Sequence, residues 1–493
     1  MKFWFSIIFK AFPLCLFCFF NLAAQDLKAT VRIVSPVSGE LYVEGRFPQN
    51  NPSENKKNWG FVRSLAGIGE LGERISDLKL KDERGGTIGF KRLMAGEYLA
   101  DDGAAIWSYR VDVRPTKQFT ALAHLSWLTG ERGVLMTGDL FPQFGSAESG
   151  PVSARIRFEL PPDWHLITAE KRIGDNEFEV ADIDKGIFLI GVDWRVRRIE
   201  SGPFSLKIAT AGEWLFSDDE AASMTTEIAA RYGRMFGGLP GENPLVVLVP
   251  LENKNGRWEA ETRGRTVLIV SGDMPFKKLS LQRLHEQLRH EIFHLWMPNN
   301  LTLTGNYDWF YEGFAVYQSL RTGIGMNRIG FADFLATLSE AFNLTDFQDQ
   351  QISMIEASKL HRSGANPGVY ARGMIVAFLC DAAILEKSKG KNSIEDVFRQ
   401  IYAAHNRPNS KSEDGTGAIL RILKSRPELV PVVERFVENA GKIDWTPYLE
   451  NLGLEENREG LRVNLRVKAK LKRRQRDLLD KLGYNNWRKF SDK

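Results

Sequence analysis

The sequence predicts a multidomain protein of the α+β class, with a β-rich N-terminal domain, a central α/β domain and a helical C-terminal domain. Its 493 residues exceed one ordinary hydrophobic core and correspond to roughly three domains. Short, alternating apolar runs dominate up to residue 212, and helical patterns dominate after about residue 327. With 43% hydrophobic and 26% charged residues, the composition argues against wholesale disorder and against a multi-span membrane protein.

The first 24 residues form a segment typical of protein export. Two lysines accompany a long, aromatic-rich apolar stretch that ends at Ala23 and Ala24. This arrangement predicts a signal peptide over residues 1–24 and a secreted or periplasmic protein. An uncleaved N-terminal anchor is the alternative, because the apolar run approaches the roughly 20 residues that span a bilayer.

Cysteine usage predicts a fold without an internal disulfide. Cys15 and Cys18 lie inside the predicted signal peptide, which leaves Cys380 as the only cysteine of a cleaved chain. A single cysteine has no partner within its own chain. The fold must therefore be stabilised by its hydrophobic core.

Residues 25–212 are predicted to form the β-rich N-terminal domain. Its alternating apolar runs are separated by Gly, Pro, Asn and Asp, which is typical of strands joined by turns. A surface loop is expected over residues 49–58. The strand-like runs are ATVRIVS, IWSYRVDV, SARIRFEL, GIFLIGV and FSLKIAT.

Residues 213–326 are predicted to form the central α/β domain. Ser217 and three acidic residues after it have a helix-capping composition, and the helix should end near Gly237. Two apolar runs, LVVLVP at 245–250 and TVLIVSG at 266–272, predict strands. A second helix is expected from Ser280, with five apolar residues on one side: Leu281, Leu284, Leu288, Ile292 and Leu295.

The chain ends in a helical domain at 327–455 and a basic tail at 456–493. The tail carries 13 Lys/Arg against 5 Asp/Glu, while the whole chain has a net charge of +4. The remainder is therefore mildly acidic, which argues against nucleic acid as a partner. Alternation in LRVNLRVKAKL predicts an exposed strand with one basic face, and a helix follows it. Such a run is usually a solvated face, with weak contact to an anionic membrane surface as the alternative.

The segment HEIFH at 290–294 predicts a metal site. His290 and His294 are four residues apart, so on a helix they share one face and can offer two imidazoles to one tetrahedral ion. Glu291 is then placed beside the metal, where a carboxylate can take a proton from activated water and deliver it to a leaving amine. Five residues alone turn up by chance, so context decides the interpretation.

That context is a second predicted helix, WFYEGFAVY at 309–317, which supplies Glu312 as the natural third ligand. Three protein ligands leave the fourth position open, as a catalytic zinc ion requires. The sequence therefore predicts a catalytic Zn2+ held by His290, His294 and Glu312, with Glu291 as the base. A peptide or protein is the expected substrate.

The remaining histidines and the nearby aromatic residues have simpler interpretations. His285 is five residues from His290 and should diverge around the helix, so it is expected at the surface. The others lack a comparable spacing and are expected to be surface or hydrogen-bonded residues: His124, His165, His361 and His405. Four aromatic residues are expected in the core: Trp296, Trp309, Phe310 and Phe314.

With these residues in hand, the chain resembles the glycyl aminopeptidase family of gluzincin metallopeptidases and, more distantly, the alanyl aminopeptidase and leukotriene hydrolase family. The resemblance covers most of residues 120–390. It includes HLSWLTGERGVLMTGDLFP, RYGRMFGGLPGENPLVVLV, HEIFHLW, WFYEGFAVY and VYARGMIVAFLCDAAI. Two departures stand out: the segment between His294 and Glu312 is short, and the PDZ module common in that family has no room after residue 450.

The resemblance implies a thermolysin-like α/β catalytic domain and peptide-bond hydrolysis in a cleft beside the helical domain. VYARG matches the family's Tyr-x-Lys/Arg-Gly helix, so Tyr370 corresponds to the tyrosine that stabilises the oxyanion. A phenol donor near zinc suits that chemistry. The alternative is a tyrosine that only packs on its helix.

The resemblance also implies aminopeptidase activity, which requires an anion for the substrate ammonium. Glu261 precedes the strand at 266–271, and similar families place a glutamate in a corresponding loop. Trp258 and Glu259 stand where that family has small glycines, so Glu259 is an alternative to Glu261. Two other functions stay open: a zinc endopeptidase, and a non-catalytic exported binding protein that retains the fold.

Overall fold

The computed structural model describes residues 27–47, 57–143, 151–201, 204–251, 255–346, 351–360, 367–406, 412–486 and 488. The predicted signal peptide and most of the predicted loop at 49–58 lie outside these residues.

The N-terminal part is built almost entirely of strands, as the sequence predicts. They are β1 Leu27–Ser35, β2 Glu40–Arg46, β3 Asn58–Gly60, β4 Ile75–Lys81, β5 Thr87–Ile88, β6 Phe90–Met94, β7 Glu97–Ala100, β8 Ile106–Asp112, β9 Trp127–Leu128, β10 Arg132–Met136, β11 Ala154–Glu159, β12 His165–Thr168, β13 Lys171–Gly174, β14 Glu177–Val180 and β15 Ile187–Gly191.

These strands form an eight-stranded sheet, in the order β13-β14-β11-β1-β2-β8-β4-β5, and two smaller sheets, β12-β15-β10-β9 and β3-β7-β6. Alternate residues of the large sheet are buried, as in Val31, Val43 and Tyr109, while their neighbours face outwards. One face is therefore a core and the other is exposed. Short helices accompany the strands: a 3-10 turn at Leu71–Arg74, α1 Ala121–His124 and α2 Thr137–Leu140.

The central sheet has the order β16-β17-β18-β20-β19. Its strands are β16 Arg195–Ser201, β17 Phe204–Thr210, β18 Leu245–Pro250, β19 Trp258–Arg263 and β20 Thr266–Ser271. β17, β18 and β20 are parallel, and the two edge strands are antiparallel. β17 pairs with β18, so this sheet includes two strands that precede residue 212. Periodicity identifies a strand, but its pairing partner is set by tertiary contacts.

Both faces of the central sheet are covered. Alternate residues, including Ile208, Val246 and Ile269, pack on the helical core, whereas Val247 and Leu268 pack on the small sheet of the N-terminal part. Residues of the parallel strands are consequently buried on both sides, which explains their unbroken apolar runs. This layer connects the β-rich part to the helices.

Two helices lie over the central sheet, α3 Asp218–Phe236 and α4 Lys277–His294. α3 begins as predicted: Ser217 and Glu220 form a capping box, and Gly237 ends the helix at φ 87°. α4 begins three residues before the predicted Ser280, whose hydroxyl instead accepts the Met274 N–H at 2.8 Å. Its first turn is exposed, so the apolar pattern could not reveal it.

The rest of the chain is mainly helical, as the sequence predicts. The helices are α5 Asp308–Gly325, α6 Phe331–Asp346, α7 Met354–Leu360, α8 Pro367–Ser388, α9 Ile394–His405, α10 Gly415–Lys424, α11 Val430–Val433 followed by a π-helical turn at Glu434–Glu438, α12 Thr446–Leu452 and α13 Arg473–Leu482; the strands are β21 Leu303–Thr304, β22 Glu413–Asp414, β23 Leu454–Glu459 and β24 Arg462–Val467. α8 is long and apolar enough to cross a membrane, but 89% of its most apolar window is buried inside the protein, as befits a core helix.

The predicted basic tail contains the expected strand and helix, but it packs on the helical core. Leu465, Leu478 and Leu482 are at most 7% exposed within that core. The Leu465 N–H donates to Ser339 Oγ at 2.8 Å, which joins β24 to α6. The basic side chains of β24 face outwards, as the alternation predicts.

Helices α5 and α8 cross in contact at two glycines. A Cβ atom added at Gly313 would lie 2.5 Å from the Cα of Gly373, and one at Gly373 would lie 2.7 Å from the carbonyl oxygen of Trp309. Backbone therefore touches backbone at this crossing. Glu312 is adjacent to the contact, and Tyr370 lies one turn before it on α8.

We expect Gly313→Ala to destabilise the protein by about 1–3 kcal/mol, since the added methyl group overpacks against backbone that cannot move aside. Gly325→Ala on the same helix is the matched control, because no atom lies within 4 Å of its added Cβ. That control should be neutral or gain up to about 1 kcal/mol from helix propensity. Urea unfolding measures both, and equal midpoints would contradict the close crossing.

Candidate metal centre

Helices α4 and α5 bring the three predicted ligands together. His290 Nε2 lies 3.1 Å from His294 Nε2, and Glu312 Oε2 lies 3.3 Å and 3.4 Å from those two nitrogens. One turn of α4 separates the imidazoles, and the adjacent α5 supplies the carboxylate. In the described part of the chain, these three residues are the one group of His, Cys, Asp or Glu side chains placed to share an ion.

These separations fit a tetrahedral zinc ion. Zinc–ligand bonds of about 2.0–2.1 Å place the ligand atoms of a tetrahedron roughly 3.3–3.4 Å apart. Two imidazole nitrogens and one carboxylate oxygen are also the donors of known catalytic zinc sites, in which the fourth position stays open. The donor set and its spacing therefore both suit zinc.

A hydrogen bond orients one of the imidazoles. His294 Nδ1 donates to the carbonyl oxygen of Met297 at 2.8 Å, so the lone pair of Nε2 is directed at the candidate site. Burial alone would raise the pKa of Glu312, but the imidazoles of His294 and His290 lower it well below its usual range. The carboxylate is thus an anion, as a ligand must be.

Glu291 lies beside the three candidate ligands and is 5% exposed. Its Oε1 is 4.0 Å from His290 Nε2, and its Oε2 accepts the hydroxyl of Thr262 at 2.8 Å. Asn299 holds Thr262 in place by donating to its carbonyl oxygen at 2.8 Å. Burial raises the pKa of Glu291 above its usual range, in the direction that a proton-transferring carboxylate needs.

Tyr370 is half-buried on α8 near the same centre. Burial raises the pKa of its phenol far above the usual range, and the charges of Glu312 and Glu291 add to that effect. The crossing of α5 and α8 accounts for its closeness to Glu312. A phenol that stays protonated is available as a hydrogen-bond donor to a developing oxyanion.

Glu261 lies on the edge strand β19 and is already paired. Its carboxylate bonds His124 Nδ1, and Arg263 Nε donates to it at 3.2 Å. Burial would raise the pKa of Glu261, but Arg263 and His124 lower it to about 2. The structure thus places Glu261 in a network of charges contributed by α1 and β19.

The alternative residue Glu259 belongs to the same network, with its Oε2 at 3.5 Å from His124 Nε2. Burial lowers the pKa of His124, but Glu259 and Glu261 raise it to about 9. His124 is therefore a hydrogen-bonded residue, as the sequence suggests. The sequence does not predict its contact with Glu259 and Glu261, the two candidate substrate-binding glutamates.

Asp308, at the start of α5, is a further carboxylate near Glu312 that the prediction from sequence does not include. It lies one turn before Glu312, and its buried Oδ1 atom has no hydrogen-bond partner among the described residues. Burial raises the pKa of Asp308 to about 6, and the charge of Glu312 contributes. The spacing of four residues between Asp308 and Glu312 is the signal that could have identified it.

His405 is buried at 8% exposed, and its backbone carbonyl oxygen accepts the Thr302 hydroxyl at 2.9 Å. His285 is also buried, contrary to the prediction. It is 2% exposed, and Arg289 donates to its Nδ1 at 2.7 Å. It does point away from the metal ligands, but that side of α4 is covered by other helices, so the predicted surface position is wrong. His165 is exposed as expected, whereas His361 lies outside the described residues.

The four aromatic residues assigned to the core are at most 1% exposed, which confirms that prediction. Cys380 is buried, and its thiol forms no disulfide with any residue that the structure describes.

Comparison with solved structures shows an M1 aminopeptidase-like fold. An aminopeptidase N family protein from Idiomarina loihiensis has a TM-score of 0.72 at 14% identity, covering 87% of this chain and 79% of that one. An M1 zinc metallopeptidase from Deinococcus radiodurans has a TM-score of 0.55 at 12% identity, covering 85% and 94%. A mutant of that enzyme, bound to a Tyr-Ser-Ala substrate, gives 0.54 at 14% identity, covering 85% and 95%.

No protein-family model and no curated protein matches the sequence. The predicted fold class is thus confirmed by structure. The similarity is one of fold, so the gluzincin assignment and the glycyl aminopeptidase family within it remain predictions.

Proposed function

We propose that this protein is a zinc-dependent peptidase that acts as an aminopeptidase. The observation that carries the proposal is the tetrahedral spacing of His290, His294 and Glu312, with the carboxylate of Glu291 at its side. The similar folds of zinc metallopeptidases support it. A peptide or the N-terminus of a protein is the substrate in this proposal.

Each residue of the site has a role in hydrolysis. Zinc, when bound, polarises the scissile carbonyl and acidifies water. Glu291 takes the proton of the attacking water and passes it to the leaving amine, while Thr262 holds that carboxylate in position. Tyr370 donates its phenolic proton in a hydrogen bond to the oxyanion of the tetrahedral intermediate. Retention of Glu291 beside both histidines argues against a non-catalytic binding protein.

Aminopeptidase activity needs an anion for the substrate ammonium. Glu261 is the residue proposed from sequence, and the free Oδ1 of Asp308 makes that residue a second candidate. Among the similar solved structures, one M1 zinc metallopeptidase mutant is bound to a Tyr-Ser-Ala substrate, and others are bound to single amino acids. These ligands are consistent with aminopeptidase activity.

A zinc endopeptidase is the second candidate function. His124 and Arg263 already neutralise the carboxylate of Glu261, so an incoming ammonium gains less there than at an unpaired anion. If Asp308 does not bind the ammonium either, the cleft has no strong preference for a free N-terminus.

A peptide digestion with matched N-termini tests the proposal. We expect the mature protein to release N-terminal residues from a free peptide library, to cleave N-acetylated copies at least about tenfold more slowly, and to lose both activities to a chelator. Glu261→Gln or Asp308→Asn should remove the preference for the free amine, depending on which residue binds it. Equal cleavage of free and acetylated peptides would instead assign an endopeptidase.

We further propose that export removes residues 1–24 and that the mature enzyme is secreted or periplasmic. The expected result is a mature N-terminus at Gln25 by mass spectrometry, because Ala23 and Ala24 suit a signal peptidase. An intact N-terminus in the membrane fraction would assign an anchor.

Weak contact between residues 456–493 and an anionic membrane stays a proposal, and nucleic acid is not a proposed partner.

A further inference from the structure

The exposed face of the large N-terminal sheet carries a groove with a volume of 570 Å³. It shares no residue with the candidate metal centre. Six basic side chains and two carboxylates, Glu44 and Glu177, line it, so its formal charge is strongly positive. We call it the cationic groove, and its basic residues are Lys28, Arg46, Lys79, Lys81, Arg155 and Arg157.

The sheet register sets like charges directly opposite one another. Lys28 on β1 faces Arg155 across the parallel pair with β11, and it faces Arg46 across the antiparallel pair with β2. Neighbouring strands lie about 4.8 Å apart, and like charges in opposed positions destabilise a sheet. Three cations in one cross-strand row are thus an unfavourable arrangement for the fold alone.

Elsewhere on this face the charges are balanced. Arg32 pairs with Glu159, Arg110 with Glu40, and Lys171 with Glu179. By contrast, the side chains of four exposed groove residues make no hydrogen bond or ion pair with any residue that the structure describes: Lys28, Lys79, Lys81 and Arg157. One of the two lining carboxylates, Glu177, lies opposite Arg157 across β11 and β14, so six cations face two carboxylates and the excess positive charge is concentrated in the concave part of the face.

We propose that the cationic groove binds an acidic segment of a polypeptide. The lining crosses six strands, β14, β11, β1, β2, β8 and β4, a width of roughly 24 Å, which an extended peptide of about seven residues spans. Acidic side chains would satisfy the cations of the groove.

The other lining groups favour a peptide over a uniform polyanion. Glu44 and Glu177, with the hydroxyls of Thr30 and Ser108, line the groove and can accept hydrogen bonds from a ligand. Peptide N–H groups can supply those bonds, and a peptide that alternates acidic with uncharged residues can keep its own carboxylates away from Glu44 and Glu177. A nucleic acid backbone or a sulfated polysaccharide carries charge on nearly every unit and would place some of it against the two carboxylates. Tyr42 is exposed in part, and the groove offers no row of aromatic rings for base stacking.

Fluorescence anisotropy with a labelled, N-acetylated peptide of alternating Glu and Ala tests the proposal on the full-length protein. We expect the peptide to bind at low salt and a Gln-for-Glu copy not to bind. Lys28→Glu with Arg157→Glu should weaken binding at least about tenfold. The control, Lys117→Glu with Lys278→Glu, reverses two exposed cations elsewhere and should change binding less than about twofold.

Three outcomes would overturn the proposal: equal binding of the Gln peptide, unchanged binding by the groove variant, or tighter binding of heparin or a single-stranded oligonucleotide than of the acidic peptide. A second measurement needs no ligand. Lys28→Glu replaces two repulsive cross-strand pairs by attractive ones, so the melting temperature should rise by about 1–3 °C. A lower melting temperature would contradict the repulsion on which the inference rests.

Discussion

Replacement of Glu291 by glutamine is expected to abolish turnover while zinc binding is retained. Glutamine keeps the size of the side chain and can still bond Thr262, but it cannot accept the proton of the attacking water. General acid–base catalysis contributes about 10²–10⁴-fold, so kcat should fall by that factor or more. Peptide turnover and metal analysis of the same preparation measure the two effects.

Two further variants make this experiment specific. Glu286→Gln changes an exposed carboxylate on the same helix and should leave kcat unchanged. His290→Ala combined with His294→Ala should lose the zinc itself. Full zinc content in that double variant would contradict the ligand assignment, and normal turnover in Glu291→Gln would remove its role as the base.

Tyr370→Phe is expected to lower kcat by about two to three orders of magnitude, the scale of losing one oxyanion donor. The pKa of this phenol is raised by burial, so the hydroxyl remains a donor throughout the pH range in which the enzyme could work. Because the interaction forms only in the transition state, KM should change little. Steady-state kinetics at saturating zinc separate kcat from KM.

Tyr311→Phe is the matched control, since its ring lies 6.1 Å from that of His294. A small loss in this variant, beside a large loss in Tyr370→Phe, would support the assignment. The reverse order would transfer the donor role to Tyr311.

Much of the fold could be predicted because local patterns coincide with tertiary burial. The apolar positions of α4, from Leu284 to Ile292, follow one helical face and pack on the core. The exposed first turn of α4 carries no such pattern, so the sequence predicts a start at Ser280, whereas the helix begins at Lys277. Strand partners were harder, because the pairing of β17 with β18 depends on residues far apart in the chain.

The ligands of the candidate metal centre were predictable because one helix turn relates His290 and His294. The surrounding network was not. The contact between His124 and Glu261 joins residues 137 positions apart in different domains, and no spacing rule describes it. The burial of His285 could not be predicted for a similar reason. Helix geometry shows that it points away from the metal ligands, but not that other helices cover that side of α4.

Because the chain is synthesised from its N-terminus, the packing of β24 and α13 affects when the helix α8 becomes fully supported. Leu465 and Leu478 complete the core that also holds α8, the helix of Tyr370. A chain made from its N-terminus can assemble the β-rich domain early, but the support of α8 waits until about residue 482 has emerged. Assembly of the proposed active site therefore depends on segments that are synthesised well after the metal ligands themselves.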